Sequence, residues 1–232
     1  MATSNSVPRP QLESYRPTDR RPIANTFRNW ATRSVNWCAV RDVHPNTISC
    51  SSILASGAAA TCFVLAGTNP WLLIAGIFFS LLRLYLNMLD GMVALQTGKA
   101  SASGEIANEL PDRISDVLIF VGIAHSGLCQ VLLGYWGAIL SLLVAYVGTL
   151  GKAAGAHRDF SGPMSKPWRM VALGLGSTLA LLFGTHQAVA GLSIIDWTLL
   201  AVISGCVATF LRRTRNVLNA LNNDRAESTE YQ

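Results

Sequence analysis

The fold of this chain is decided by a charged and polar stretch that lies between strongly apolar segments. It runs from Arg83 to Asp116 and reads RLYLNMLDGMVALQTGKASASGEIANELPDRISD. Ionisable groups this close to membrane-length apolar segments usually mark a functional site, because an unpaired charge in hydrocarbon is costly. We therefore expect this stretch to carry the chemistry of a membrane protein.

The polar positions of the stretch recur at helical spacing on either side of a short loop. Residues three or four apart lie on one face of a helix, so each side of the loop carries one polar stripe. The first stripe consists of Arg83, Asn87, Asp90 and Ala94, and the second consists of Glu105, Asn108 or Glu109, Asp112 and Asp116. Facing acidic stripes repel each other unless a cation lies between them or the pKa values of some carboxyl groups rise.

The oxygens of these stripes indicate the kind of cation. Carboxylate and amide oxygens suit Mg²⁺ or Mn²⁺, and the lack of nearby Cys or His argues against zinc. A second interpretation stays open, in which the acids form a buried ion network around Arg83.

Small residues lie among the polar positions, at Gly91, Ala94 and Gly104. Small side chains let helix backbones or a planar ligand approach closely. They predict a nucleotide site beside the acids, although plain helix packing explains them as well.

The composition indicates an integral membrane protein. Of the 232 residues, 50% are hydrophobic and only 13% are charged, whereas about 25% are charged in a typical soluble domain. Apolar runs that approach the roughly 20 residues of a membrane-spanning helix lie at about 47–67, 70–89, 106–126, 130–150, 168–184 and 193–211. The third helix must begin near Gly104, because residues 117–126 alone are too short to cross the bilayer. The sequence thus predicts an all-α integral membrane fold with six transmembrane helices.

The distribution of Lys and Arg predicts the orientation. The loops near 67–69, 125–129 and 185–192 contain neither residue, whereas both ends of the chain and the two remaining loops contain several. By the positive-inside rule, both termini and the polar stretch face the cytoplasm. Nothing in the chain resembles a nucleic-acid-binding module, so no nucleic-acid partner is expected.

Four regions are predicted along the chain. Residues 1–25 are polar and rich in Pro and Arg, which is typical of a disordered cytoplasmic extension. Residues 26–43 show helical spacing of apolar side chains and predict an amphipathic helix in the membrane interface. Residues 44–215 form the six-helix membrane domain, and residues 216–232 form a polar cytoplasmic tail.

The spacing of the central stretch resembles the signature of the CDP-alcohol phosphotransferases. Members of that family carry Asp-x2-Asp-Gly-x2-Ala-Arg-x8-Gly-x3-Asp-x3-Asp in a six-helix membrane domain that is commonly a homodimer. This chain aligns with the signature without a gap, as Asn87-x2-Asp90-Gly91-x2-Ala94-Leu95-x8-Gly104-x3-Asn108-x3-Asp112. The chain departs from the signature at Asn87, Leu95 and Asn108.

The resemblance implies roles for the matching residues. Asp112 would be the general base, and Asn87, Asp90, Asn108 and Asp112 would hold Mg²⁺ or Mn²⁺. Because Asn87 and Asn108 are neutral where the family has carboxylates, divalent metal binding should be weaker. The departures from the family pattern imply a remodelled metal site, with Asp90 as the firmest ligand and Glu109 or Asp116 assisting. The implied partners are CDP-diacylglycerol, a polyol or phosphopolyol acceptor, and a second copy of the chain, and the expected location is a bacterial inner membrane.

A cluster of cations near the fourth loop is the candidate acceptor site. Arg113, Arg158, Lys166 and Arg169 could bind a phosphate or a polar acceptor near Asp112. The same residues are explained as positive-inside residues that bind lipid headgroups.

Three functions are compatible with these observations. The first is transfer of a phosphatidyl group from CDP-diacylglycerol to a hydroxylated acceptor, with release of CMP. The second is a non-catalytic relative that binds nucleotide or lipid without turnover, which the loss of two aspartates favours. The third is a small cation transporter, but the acids lie at one membrane edge, whereas transporter sites usually lie at the midplane.

Overall fold

The structure is a computed structural model that describes residues 24–99, 102–185 and 188–230. Helices account for almost all of the described residues. They are α1 Ala24–Val40, α2 Pro45–Leu65, α3 Leu72–Gln96, α4 Ala102–Ala124, α5 Val131–Ala153, α6 Lys166–Phe183 and α7 Ile194–Glu230. Two strands, β1 Ala188–Val189 and β2 Leu192–Ser193, pair antiparallel in a short ribbon before α7. The prediction of an all-α fold is confirmed, apart from this ribbon.

Local sequence explains where several helices begin. Pro45 opens α2, where its missing N–H costs nothing, and the His44 Nδ1 atom accepts a hydrogen bond from the Asn46 N–H at 3.3 Å. Ser165 precedes α6, whose first turn also contains a proline. Asp196 lies in the first turn of α7, where a carboxylate faces unpaired backbone N–H groups.

Four helices in the described part of the chain are long and apolar enough to cross a membrane. They are α2, α3, α5 and the portion of α7 from Ile194 to Asn223. The chain is therefore an integral membrane protein by length and composition of its helices. The other two predicted spans are α4 and α6, which carry many of the charged residues of the central stretch, and the count of six stays a prediction.

The helices pack closely through small residues. A Cβ atom at Gly122 of α4 would lie 2.6 Å from the Ala60 Cα atom of α2, so these two backbones are in direct contact. At Gly76 of α3 a Cβ atom would lie 2.6 Å from the Phe63 ring of α2. Close approach at small residues is the usual way in which membrane helices associate, since apolar burial alone does not favour their contact in lipid. This packing joins α2 to both α3 and α4 and fixes the polar residues that those two helices carry.

The ends of the chain differ from the sequence prediction in extent. Helix α1 covers most of the predicted interfacial helix at 26–43, and its Val35 and Cys38 side chains pack in a buried cluster with residues of α2 and α3. Helix α7 continues to Glu230, through nearly all of the predicted tail at 216–232. Residues 1–23 of the predicted extension at 1–25 lie outside the described residues.

Candidate active site

The polar stretch forms a buried cluster where three helices meet. Helix α3, helix α4 and the first turn of α6 supply its side chains. Its buried charged residues are Arg83, Asp90, Asp112, Asp116, Lys166 and Arg169. Charges removed from water in this way must be paired or hydrogen-bonded to be tolerated.

Asp116 joins the three helices through two arginines. One carboxylate oxygen, Oδ1, pairs with Arg83 of α3, and the other accepts a hydrogen bond from Arg169 Nη2 of α6 at 2.6 Å. Arg83 Nη2 also donates to the backbone carbonyl of Asp112 at 3.1 Å. Asp116 is therefore part of an ion network around Arg83, as the second interpretation of the sequence described, and both of its oxygens are occupied.

Asp112 pairs with a lysine from α6. Lys166 Nζ forms an ion pair with Asp112 Oδ1 and donates to Asn87 Oδ1 of α3 at 2.6 Å. Asn87 Nδ2 in turn donates to Asn108 Oδ1 of α4 at 2.7 Å. The first and last positions of the signature are thus linked through one ammonium group, and the two asparagines are linked directly.

Asp90 has a different environment. Its Oδ2 atom accepts a hydrogen bond from Ser49 Oγ of α2 at 2.5 Å. Its Oδ1 atom is buried and has no hydrogen-bond partner in the structure. An unsatisfied buried carboxylate oxygen is costly, so Asp90 is a candidate to bind a further group.

Glu109 belongs to a second network at the mouth of the cluster. Its Oε1 atom pairs with Arg113, and its Oε2 atom accepts from Arg158 Nη2 at 2.7 Å. Arg113 and Arg158 line a cavity together with Lys166, Arg169 and Arg213. The four cations predicted as acceptor ligands therefore lie around one cavity, with Arg213 in addition.

A short segment between α5 and α6 holds Arg158 beside this cavity. Asp159 accepts hydrogen bonds from the Ser161 N–H at 2.7 Å and from Asn216 Nδ2 at 2.8 Å. Partial burial raises the pKa of Asp159, but these hydrogen bonds outweigh it and the pKa is lowered from its ordinary value. Arg213 Nε donates to the Ser161 carbonyl at 2.9 Å, which ties the same segment to α7.

The predicted nucleotide residues lie along the same junction. An added Cβ atom at Gly91 would meet no atom within 4 Å, so the space beside this residue is open. Ala94 and Gly104 are half-buried on α3 and α4. The open space next to Asp90 is compatible with a bound ligand.

The arrangement fits the predicted Mg²⁺ or Mn²⁺ poorly. No group of three or more His, Cys, Asp or Glu side chains in the described residues could hold a metal ion. Both oxygens of Glu109 and of Asp116 are bonded to arginines, so neither assists Asp90 as expected. The Asn87 oxygen and one oxygen of Asp112, Oδ1, contact Lys166, and the Asn108 oxygen accepts from Asn87. The metal site stays a prediction.

Sequence reasoning missed two residues and one role. The sequence does not predict Ser49 as a partner of Asp90, although a serine in the first turn of an apolar helix signals a polar partner. It also does not predict Arg213 beside the cavity. Lys166 was predicted to bind an acceptor, whereas the structure also pairs it with the signature residues.

Comparison with known proteins identifies the family. The sequence model of the CDP-alcohol phosphatidyltransferases matches residues 42–210, well over half of the chain. The chain belongs to the CDP-alcohol phosphatidyltransferase family. The resemblance drawn from the signature is therefore confirmed, and this transferase is a membrane enzyme of phospholipid synthesis.

Several curated relatives are similar to this transferase. The inner membrane protein YnbA of Escherichia coli is 27% identical over 156 residues, which cover 66% of this chain and 76% of that protein. The archaetidylinositol phosphate synthase of Pyrococcus horikoshii is 26% identical over 187 residues, covering 80% of this chain and 90% of that protein.

Solved structures share the fold. Phosphatidylinositol phosphate synthase (PgsA1) of Mycobacterium tuberculosis with CDP-DAG bound has a TM-score of 0.68 at 20% identity, covering 81% of this chain and 92% of that one. The same synthase in complex with manganese and citrate has a TM-score of 0.67 at 20% identity, with 81% and 88% covered.

Proposed function

We propose that this transferase moves a phosphatidyl group from CDP-diacylglycerol to a hydroxyl group of a polyol or phosphopolyol and releases CMP. The observation that carries the proposal is the position of Asp112. Its carboxylate lies where α3, α4 and α6 meet, paired with Lys166, one of the residues that line the cationic cavity. The solved synthase that shares the fold has CDP-DAG bound, which supports the same donor here.

Asp112 acts as the general base in this proposal. Its Oδ1 atom is paired with Lys166, and its Oδ2 atom lies 4.0 Å from Arg113 Nη2. The Oδ2 atom takes the proton of the acceptor hydroxyl as that oxygen forms a bond to the phosphorus of the phosphatidyl group. The bond from this phosphorus to the oxygen of the CMP phosphate then breaks, and CMP leaves with the electron pair.

The cavity predicts a phosphorylated acceptor. Guanidinium groups bind phosphate oxygens in pairs, and a cavity lined by several of them favours an anionic ligand over a neutral one. The cations that line it are Arg113, Arg158, Lys166, Arg169 and Arg213. Because similar proteins are named as inositol phosphate lipid synthases, we propose an inositol phosphate as the acceptor.

We propose that the cytidine group binds at the open side of the cluster. The space beside Gly91, together with Ala94 and Gly104, allows a planar ring to approach the helix backbones. Asp90 lies next to this space with a buried oxygen that has no hydrogen-bond partner. Mg²⁺ or Mn²⁺ stays a prediction and has no step in this mechanism, because the side-chain arrangement fits it poorly.

The placement of the transferase in the membrane is also a proposal. We place six helices across the bilayer, α1 in the interface and both termini in the cytoplasm, where the polar cluster opens. The Lys and Arg distribution supports this orientation. The name of the Escherichia coli relative supports a bacterial inner membrane, and the resemblance to the family supports a homodimer.

Release of CMP by purified protein tests the proposal. The protein in nanodiscs is given CDP-diacylglycerol and inositol phosphate, with glycerol phosphate and free inositol as other acceptors. Asp112→Asn should lower the rate by about 100-fold or more, the usual contribution of a general base. Asp42→Asn is the matched control, because Asp42 pairs with Lys99 on the surface.

Two outcomes would contradict the proposal. Equal CMP release by wild type and Asp112→Asn would exclude Asp112 as the base. Binding of CDP-diacylglycerol without CMP release with any acceptor would instead support the non-catalytic relative, which Asn87 and Asn108 favour.

A further inference from the structure

We propose that the Lys166 ammonium group, and not a divalent metal ion, is the cation that bridges the signature residues of α3 and α4. The site is the one assigned to the transfer reaction, but the inference concerns its cation and rests on the contacts of Lys166. Lys166 Nζ bonds to Asn87 Oδ1 at 2.6 Å and to Asp112 Oδ1, and its side chain is only 7% exposed. One ammonium thus connects the first and last positions of the signature.

The two asparagines are matched to such a cation. Asn87 Nδ2 donates to Asn108 Oδ1 at 2.7 Å, a bond that two ionised carboxylates cannot form because neither has a proton to donate. Two carboxylates at this separation would repel and require a strongly charged cation between them. The amide pair satisfies itself, so that the single positive charge of an ammonium is sufficient.

The charges at the four signature positions support this proposal. Only two of the four signature positions are acidic, Asp90 and Asp112, and Lys166 pairs with Asp112. With aspartate at 87 and 108 the same four positions would carry four negative charges, which a single ammonium would leave largely unbalanced. Divalent ions are held by several anionic oxygens, and their affinity falls as the number of charged ligands falls.

The position of Lys166 in α6 supports a bridging role. Lys166 is the first residue of the helix, where the helix dipole disfavours a positive charge. A lysine there is buried only if its ammonium gains from partners outside its own helix. Asn87 and Asp112 supply those partners, and Arg169 of the same turn reaches Asp116 in the same way.

Direct measurement of Mn²⁺ binding tests the inference without any substrate. Protein in nanodiscs is titrated with Mn²⁺, and the free ion is followed by electron paramagnetic resonance. Wild type is expected to show no stoichiometric site tighter than about 1 mM, the weak end for oxygen-ligand sites. The triple variant Asn87→Asp, Asn108→Asp, Lys166→Gln is expected to bind one Mn²⁺ per chain at least about 10-fold more tightly.

The melting temperature gives a second readout. Mn²⁺ should raise it in the triple variant and leave it unchanged in wild type, because a ligand stabilises only the state that binds it. Lys152→Gln, which removes a lysine at the end of α5, is the matched control and should behave as wild type. If the triple variant does not fold, the wild-type titration still decides.

One result would overturn the inference. Stoichiometric Mn²⁺ binding by wild type that is lost in Asp90→Asn or Asp112→Asn would show that a metal ion holds the position. Since the titration contains no donor or acceptor, it is independent of the CMP release experiment, and either proposal can fail without the other.

Discussion

Buried aspartates occur in two regions of the molecule, the start of α7 and the central cluster, and the two regions use them differently. At the start of α7, Asp196 accepts hydrogen bonds from the backbone N–H groups of Gln130 at 2.7 Å and Ser193 at 2.9 Å. In the central cluster, Asp90, Asp112 and Asp116 bond mainly to side chains of other helices. The first arrangement joins two chain segments, and the second gathers charges from three helices.

The difference shows in which oxygens are satisfied. Both oxygens of Asp196 have backbone donors, as expected for a carboxylate with a structural role. Asp90 keeps one buried oxygen without a hydrogen-bond partner, and Asp112 is held by a lysine beside an open cavity. Incomplete satisfaction of a buried polar group has a free-energy cost that a functional site explains and a structural cap does not.

Removal of Asp116 should give the largest loss of stability. In Asp116→Ala two buried arginines, Arg83 and Arg169, lose their common carboxylate. Breaking a buried ion network from one side usually costs about 3–5 kcal/mol, because the remaining charges stay buried. The free energy of unfolding in detergent, measured by denaturant titration, checks this.

An exposed ion pair provides the control for that prediction. Asp42→Ala removes the partner of Lys99 at the surface, where water screens the ion pair, so the free energy of unfolding should change far less than in Asp116→Ala. Similar losses of stability in the two variants would mean that the ion pairs of Asp116 do not stabilise the fold. Asp116 would then not differ from Asp112 in having a structural role.

Removal of Asp196 should have a smaller effect. Asp196→Ala leaves the N–H groups of Gln130 and Ser193 without their acceptor, and losing such a cap costs about 1–2 kcal/mol. Asp196→Asn keeps one acceptor oxygen and should lie between the alanine variant and wild type. CMP release per folded protein should be unchanged, since Asp196 lies in the first turn of α7 and bonds to no residue of the central cluster. A selective loss of activity would contradict its structural role.

The sequence predicted the helices around these aspartates from the length of their apolar runs. Runs of about 20 apolar residues located α2, α3 and α5, and the shortness of residues 117–126 required α4 to begin upstream, as it does at Ala102. These signals are local, because a membrane-spanning helix must satisfy its own backbone hydrogen bonds. The family signature is local in the same way, since its residues lie on two consecutive helices.

Contacts between distant segments could not be read from the sequence. Lys166 bonds to Asn87 across 79 positions, and the sequence offers many other cations for the same acids. Spacing placed Glu109 and Asp116 near the predicted metal, but only the structure shows that arginines occupy their oxygens. The sequence also did not predict that α7 continues to Glu230, because a polar composition does not distinguish a helix from an exposed end.

The smallest expected effect concerns the segment that holds Arg158 at the cavity. Hydrogen bonds from Ser161 and Asn216 lower the pKa of Asp159, so the folded state favours the charged form. The stability contributed by Asp159 is therefore fully present above its ordinary pKa of about 4 and is lost as the pH falls through the lower folded value. Because Asp159 is partly exposed, Asp159→Asn should cost about 1 kcal/mol or less at neutral pH.

The pH dependence separates this contribution from a simple loss of packing. The difference in unfolding free energy between wild type and Asp159→Asn should be constant from about pH 6 to 7 and shrink below about pH 4. Asn216→Ala removes one donor without changing charge, and adding it to Asp159→Asn should cost less than it does alone, because the two groups interact. A pH-independent difference, or strictly additive costs, would show that Asp159 orders the segment without its charge.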